Sequence, residues 1–269
     1  MQSVVGLLSA LLVLLAGVSR ADVVPDVYRG EAIVTGKENL EERQRGFREA
    51  FADAIVKVSA DARLACDPRL APALAEPQRF VVNFEYEDRL AKKKLMDEQG
   101  TRERSYILRV DFDPAAVDRL LTVLNARPWP ADRPRLLVLL AVRDTMGTYL
   151  LGTDSTRGWG QREALAAISR RRGVPAVLPH TDLPEQGGVG LAEAEHSDRA
   201  AIAQIAASYK ASAVLQGRMV LREDGLWDTS WTFQDDKEAG GAWRSDGTTF
   251  DKSIAAGIEG SALRLARKE

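Results

Sequence analysis

Two histidines are the side chains best suited to chemistry in this sequence, which has no other histidine. His180 follows a predicted strand at its carboxyl end, the place where ligands collect in α/β sheets. A metal site could combine His180 with Asp182, His196 and Asp198. Their spacing matches no established ligand pattern, and acidic neighbours of His196 are typical of an exposed helix start. We therefore interpret both histidines as polar loop residues and predict no metal ligand.

The segment from Gly152 to Gly160 is the second candidate for chemistry, because it has the composition of a loop that cradles phosphate before a helix. It lacks the Gly-Lys-Ser/Thr ending of nucleotide-binding loops, and the chain has no Gly-x-Ser-x-Gly nucleophile elbow. We interpret the segment as a loop that caps a helix, and we predict no catalytic or cofactor-binding residue. The alternative is a hydrolase or metal-dependent enzyme that uses this loop together with the loop from His180 to Asp182.

A strand near the C-terminus carries large aromatic side chains at alternate positions, and such side chains share one face of a sheet. Trp227 and Trp231 on this face could pack beneath the last helix, or they could form a platform for a peptide or a glycan. Trp243 lies near a turn and is the ring that we expect to be the most exposed. These three tryptophans are the possible partner-binding residues of the chain.

The first residues predict secretion. An apolar run of about fifteen residues from Val4 to Val18 is too short to span a bilayer, and small side chains at Ser19 and Ala21 suit cleavage before Asp22. Residues 1–21 are therefore predicted to be a signal peptide, with an uncleaved membrane anchor as the alternative. A lipoprotein anchor would need a cysteine at the cut, and the only cysteine is Cys66.

Charge and cysteine content exclude several classes of function. Loss of Arg20 with the leader changes the net charge from −2 to −3, so the chain has no general attraction to nucleic acid. Cys66 cannot form a disulfide within the chain, and it is either a buried small side chain or an exposed thiol. The basic triplets at 92–94 and 170–172 are interpreted as solvated surface rather than lipid contacts, the second because cations favour a helix C-terminus.

Apolar periodicity predicts the elements. One face of a helix from Leu40 to Ser59 is apolar, while its other face, including Lys57, has the composition of a solvated surface. Strands are predicted at 27–34, 80–86 and 106–112, the last two as an antiparallel pair with an exposed tip at 92–101. A helix then follows the Asp113-Pro114 cap.

Closely spaced prolines in Arg127-Pro128-Trp129-Pro130 predict a domain boundary. The continuous apolar run from Leu136 to Val142 then predicts a strand that is covered on both faces. Further strands are predicted at 176–178, 213–221, 226–234 and 242–248. Helices separate the strands at 136–142, 176–178 and 213–221, and a last helix is capped at Asp251 or Ser253. The order β-α-β-α-β-β-β-α predicts a mixed sheet covered by helices.

Several segments, in this order, resemble a bacterial family known as domain-of-unknown-function family 2066. The segments that carry the resemblance are Val56-Lys57-Val58-Ser59, Asp67-Pro68-Arg69, Phe84-Glu85-Tyr86, residues 97–102, residues 109–113, residues 133–140, Arg172-Gly173-Val174-Pro175 and the tryptophans at 227, 231 and 243. The chain departs from the family at Ala60, where glycine is expected. The resemblance implies an envelope protein and no catalytic residues.

Together these observations predict an α/β (α+β) protein of two small domains, each a mixed or antiparallel sheet covered by helices. A signal peptide at 1–21 precedes an N-terminal domain at 22–126 and a C-terminal domain at 127–269 with a β-meander and a terminal helix. We expect a periplasmic accessory or interaction protein without catalysis or cofactors, and without stable membrane insertion after cleavage. Its partner would be another envelope protein, a peptide or a glycan.

Overall fold

The structure is a computed structural model that describes residues 21–88, 104–181, 189–195, 198–235 and 240–267. It is a mixed α+β fold, as the sequence predicted. The leader, the predicted hairpin tip at 92–101, Asp182 and His196 lie outside the described residues. Among the described residues, no helix combines the length and the apolar character that a membrane crossing requires.

The N-terminal half contains a three-stranded antiparallel sheet in the order β2-β4-β3, with one long helix packed on it. Its elements are β1 (Ala21–Val23), β2 (Arg29–Thr35), α1 (Leu40–Ser59), α2 (Ala71–Ala75), β3 (Val81–Asp88), β4 (Ser105–Phe112) and α3 (Pro114–Val123), with short 3-10 turns at Ala62–Cys66, Pro68–Leu70 and Pro77–Phe80. The predicted helix bounds of α1 and the antiparallel pairing of β3 with β4 are confirmed.

Helix α1 lies unusually close to β2. A Cβ atom at Gly30 would come within 1.8 Å of the carbonyl oxygen of Ala50, so only glycine permits this approach. The helix ends at Ala60, which adopts a left-handed conformation with φ 59°. This is the ending that glycine usually provides, and with alanine it costs about 1 kcal/mol of strain.

The C-terminal half contains a mixed six-stranded sheet in the order β11-β10-β9-β6-β7, with β8 also paired to β6. Its elements are β5 (Asp132–Pro134), β6 (Leu136–Asp144), β7 (Gly147–Leu150), α4 (Trp159–Arg172), β8 (Ala176–Val177), α5 (Leu191–Ala194), α6 (Arg199–Ser208), β9 (Ala213–Leu221), β10 (Trp227–Asp235), β11 (Ala242–Thr248) and α7 (Phe250–Ala266). Strand β6 is central, parallel to β8 and β9, and buried from Leu136 to Val142 as predicted.

Two details of this half differ from the sequence prediction. Residues 147–150, for which no strand was predicted, form strand β7, because the chain turns back at once and pairs with β6. Helix α7 begins at Phe250 after Thr249, rather than at Asp251 or Ser253. The side chain of Ser253 is instead buried and accepts a hydrogen bond from Thr229 at 3.1 Å, which fastens α7 to β10.

The buried guanidinium of Arg133 contacts both halves, which are also linked by the pairing of β1 with β5. The Arg133 side chain has no exposed surface, and its guanidinium lies 4.0 Å from the centre of the Trp129 ring. It donates hydrogen bonds to backbone carbonyls near the ends of α1 and α4 and in the linker between the halves: those of Lys57, Trp129, Pro130, Arg172 and Gly173. Because the C-terminus of a helix carries a partial negative charge, one guanidinium stabilises two helix ends at once.

An ion-pair network lies beside this cation. Asp53 of α1, with a side chain only 1 % exposed, accepts hydrogen bonds from Arg171 at 2.5 Å and from Arg172 at 2.6 Å. Arg172 also donates to Glu259 of α7 at 2.7 Å. The interpretation of the basic triplet at 170–172 as solvated surface is thus wrong for Arg172, whose side chain is 13 % exposed and holds α4 against α1 and α7. Arg170 and Arg171 are exposed, although Arg171 also pairs with Asp53.

Replacement of Arg133 tests the importance of the junction. In Arg133→Met, five backbone carbonyls lose a donor while the apolar part of the side chain is kept, so we expect the free energy of unfolding to fall by about 3 kcal/mol. Urea denaturation measures this change. Arg127→Met, at an exposed site in the same linker, should alter the free energy by less than about 0.5 kcal/mol. Equal effects of the two variants would contradict the assigned role.

Trp231 provides a second test of packing, because a helix glycine makes room for its ring. A Cβ atom at Gly257 of α7 would come within 2.8 Å of the ring, whereas one at Gly160 of α4 would lie at an ordinary 3.5 Å from Phe250. Overpacking costs about 1–3 kcal/mol, and glycine to alanine in a helix gains up to about 1 kcal/mol. We expect Gly257→Ala to lower, and Gly160→Ala to raise, the urea midpoint. A higher midpoint for Gly257→Ala would show that the ring can move aside.

Candidate functional site

The structure brings together the two loops that the sequence proposed as an enzymatic site. The amide of Thr153 donates to the carbonyl of Pro179 at 3.0 Å, and the carboxylate of Asp154 accepts from the amide and the hydroxyl of Thr181 at 2.9 and 3.0 Å. The hydroxyl of Thr153 lies 3.1 Å from Nδ1 of His180. The loop at 152–160 and the start of the loop at 180–182 therefore lock each other in place.

The geometry around His180 does not form a nucleophile–histidine–carboxylate relay. Such a relay places the nucleophile and the carboxylate on opposite ring nitrogens. Here the hydroxyl of Thr153 and the carboxylate of Asp154 both face Nδ1, at 3.1 and 3.8 Å. The ring is 63 % exposed and stacks against Tyr209, whose hydroxyl accepts a hydrogen bond from the backbone amide of His180. These contacts stabilise the loop pair.

Asp198, one of the proposed metal ligands, caps a helix in the structure. Its carboxylate accepts a hydrogen bond from the amide of Ala200 at 3.0 Å and caps helix α6. Asp182 and His196, the other proposed ligands, lie outside the described residues. Within the described ranges, no three histidine, cysteine, aspartate or glutamate side chains are grouped as a metal site requires.

The loop at 152–160 is tied down by its own arginine. Arg157 donates to the carboxylate of Asp144 at 2.6 Å, and its guanidinium lies 4.1 Å from the centre of the Tyr149 ring. Gly158 takes a left-handed conformation with φ 76° and leads directly into α4. These contacts agree with the interpretation of a loop that begins a helix.

The aromatic strand is part of the core. Trp231 is 1 % exposed, and Trp227 and Phe233 are also buried on the face that meets α7. Trp243 is partly exposed, as expected for the ring nearest the turn, but its indole N–H donates to the carbonyl of Ala256 at 3.2 Å and Arg264 covers its ring at 4.3 Å. The structure thus favours packing over a binding platform for this strand.

Lys57 departs most from its expected environment. It was predicted on the solvated face of α1, yet it is buried, and its ammonium donates to the carbonyl of Arg29 at 2.7 Å. Burial lowers the pKa of this lysine, with the nearby Asp53 acting in the opposite direction. Lys57 lines a cleft of about 620 Å³ between the halves, together with Arg29, Glu31 and Arg109.

A larger groove, of about 730 Å³, opens on another side of the junction. We call it the junction groove. Its walls come from the turns after α1, from the linker between the halves and from the C-terminal end of α7, and its lining residues are Ser59, Asp61, Arg63, Leu64, Asp67, Pro68, Arg69, residues 124–130, Leu263, Ala266 and Arg267. Neither its arginines nor its apolar floor were singled out from the sequence.

The single cysteine lies at the edge of this groove. Cys66 is exposed and carries a free thiol, so a buried Cys66 is excluded. It follows Leu64 and precedes Asp67, two residues that line the groove. Because Cys66 is exposed and close to the groove, a chemical probe can be attached there. This proximity could not be predicted from the sequence, because the groove is assembled from segments far apart in the chain.

Comparison with known protein families gives a match in the N-terminal part of the chain. A family model described as a domain of unknown function, DUF8605, matches residues 21–130. No curated protein matches the chain. The matched region includes the whole N-terminal half and the linker as far as Pro130, the last residue of the junction groove that the linker provides. This part of the chain is therefore similar to an uncharacterised domain family.

Proposed function

We propose that the protein is a non-catalytic accessory or interaction protein of the bacterial envelope and works in the periplasm. The observation that carries this proposal is the junction groove, an open cleft of about 730 Å³ with charged walls and an apolar floor. Concave sites of this size and composition are typical of ligand binding. The groove takes residues from both halves, so each half supplies one side of the proposed binding site.

The periplasmic location rests on the leader. An apolar run of about fifteen residues followed by small residues before Asp22 is the pattern that signal peptidase recognises. Asp22 pairs with Arg135 at 2.8 Å, so cleavage after Ala21 would leave Asp22 and Val23 of strand β1, paired with β5, at the start of the mature chain. We also propose that residues 22–126 and 127–269 are separate domains and that the likeness to family 2066 extends over both.

An enzyme is the second candidate, because the two loops proposed for it do meet in the structure. A periplasmic hydrolase or metal-dependent enzyme would use the loop from His180 to Asp182 together with the loop at 152–160, which contacts its described residues, His180 and Thr181. We place this candidate second because Nδ1 of His180 faces both the hydroxyl of Thr153 and the carboxylate of Asp154. That arrangement leaves neither group in the position that activation of a nucleophile requires.

Cleavage of the leader can be tested directly. N-terminal sequencing of the protein purified from the envelope fraction should begin at Asp22. The variant Ala21→Leu should accumulate as a longer chain, because signal peptidase needs a small residue before the cut. A wild-type sequence that begins at Met1 or Gln2 would instead establish an uncleaved anchor and contradict the periplasmic proposal in its present form.

Crosslinking through Cys66 tests the interaction function. A photoreactive maleimide on this thiol, the only one in the chain, should capture a partner in living cells upon illumination. We expect the captured band to be lost in the double variant Arg127→Glu/Arg267→Glu, which reverses two charges of the groove. It should persist in Arg119→Glu/Arg143→Glu, which makes the same change of charge at exposed sites outside the groove.

The same cells distinguish the enzyme from the interaction protein. If His180→Ala and Asp182→Ala each abolish a phenotype that the wild-type gene restores, while the variant proteins keep their urea midpoints, the enzyme hypothesis replaces the proposal. If the groove variant abolishes the phenotype and the loop variants do not, the interaction function is supported. A phenotype lost in the charge-matched control would contradict the assignment of function to the groove.

A further inference from the structure

We propose that the junction groove binds an extended peptide segment that carries both acidic and apolar side chains. This inference rests on the proposed interaction function and names the chemistry of the partner. It follows from three properties of the groove: an excess of positive charge, an apolar floor, and the neutralised end of α1.

The groove is positive although the chain as a whole is negative. Four arginines line it against two aspartates, while the complete sequence has a net charge of −2. The two aspartates are already engaged, Asp61 with Arg63 at 2.6 Å and Asp67 with Arg69 at 2.7 Å. Two positive charges therefore remain for a ligand.

The remaining charges lie on different walls. Arg127 belongs to the linker and Arg267 to the end of α7, and both side chains are exposed. Neither guanidinium makes a hydrogen bond or an ion pair within 4 Å with another described residue, and Arg267 acts on Asp61 only at longer range, where, after the hydrogen bond from Arg63, it helps to lower the pKa of that carboxyl. A guanidinium presents a planar fork of donors that matches a carboxylate. Two such forks on different walls suit carboxylates that are spaced along a chain.

The floor between these walls is apolar. Leu64, Leu124 and Trp129 are buried there, with Leu263 and Ala266 partly exposed beside them. Trp129 is 2 % exposed, and its indole N–H has no acceptor among the described residues. The N–H group itself is shielded from solvent, so the ring adds apolar surface to the floor rather than a donor for the ligand. Apolar side chains of a bound segment would cover the leucines.

Helix α1, whose C-terminus reaches the groove, does not repel an anion there. The C-terminus of α1 would normally repel negative charge. Here the carbonyl of Val58 accepts from the amide of Trp129 at 2.7 Å, and the carbonyl of Lys57 accepts from Arg133 at 2.9 Å. The partial negative charge of this helix end is therefore compensated by the linker.

A short acidic segment fits these observations better than a polyanion does. Nucleic acids and anionic membranes attract proteins through extended positive surfaces. The chain is negative overall, whereas arginines outnumber aspartates in the lining of the groove, which favours an anionic ligand small enough to enter it. Recognition of acidic segments by clusters of arginine is a recurring mode of peptide binding.

The test uses a fluorescent heptapeptide that alternates leucine and glutamate, and binding to the full mature chain is followed by anisotropy at low salt. We expect saturable binding that weakens as salt is added, since charge pairs at a groove are screened. Arg127→Glu/Arg267→Glu should weaken binding by about tenfold or more, and Arg119→Glu/Arg143→Glu should leave it within about twofold. Urea midpoints confirm that both double variants are folded.

Several results would overturn the inference. These are absence of saturable binding by the wild-type chain, equal binding of a heptapeptide with glutamine in place of glutamate, and equal loss in the two double variants. Stronger binding to vesicles that contain anionic lipid than to neutral vesicles, lost in the groove variant, would assign the groove to a membrane instead. If the peptide fails while the Cys66 probe still captures a groove-dependent partner in cells, the interaction function stands and only the ligand class is wrong.

Discussion

The burial of one guanidinium, that of Arg133, is the constraint on which the arrangement of the two halves depends. A buried cation is tolerated only when its donors are satisfied, and here backbone carbonyls from α1, from the linker and from α4 accept them. Each of these carbonyls belongs to a segment that would otherwise end with an unsatisfied acceptor. The two halves can therefore approach only in the position that presents all of them to the same side chain.

Polar contacts also hold the rest of the junction. Asp53 holds Arg171 and Arg172, and Arg172 in turn holds Glu259, so a chain of ion pairs runs from α1 through α4 to α7. Ion pairs that are largely removed from water contribute little net stability, because desolvation offsets their attraction, but they are strongly directional. Such ion pairs determine how the two halves are positioned more than they stabilise the association of the halves. Most apolar packing lies within each half, although Ala60 packs into the core of the C-terminal half and Ala131 packs against that of the N-terminal half.

The sequence predicted the elements well because they follow from local pattern. The apolar stripe of α1, the two-sided burial of β6 and the alternation in β10 are all set by residues near each other in the chain. The junction could not be predicted in the same way. Lys57 and Arg172 have the side chains of surface residues, and only contacts across a large sequence separation reveal their burial. For Trp231, the room for its ring comes from Gly217 and Gly257, which no local pattern connects to it.

The groove and the buried cation are parts of the same construction. Trp129 and Pro130, whose carbonyls accept from Arg133, also line the junction groove, and α7, which supplies its far wall, is held through Glu259. The prolines of the linker prevent a regular helix or strand from filling the space between the halves, so a cleft remains there. Since both walls depend on the junction, a ligand that fills the groove binds only the assembled form. By linkage, such a ligand raises the free energy needed to separate the two halves, and at a given concentration the increase is larger for a ligand of lower Kd.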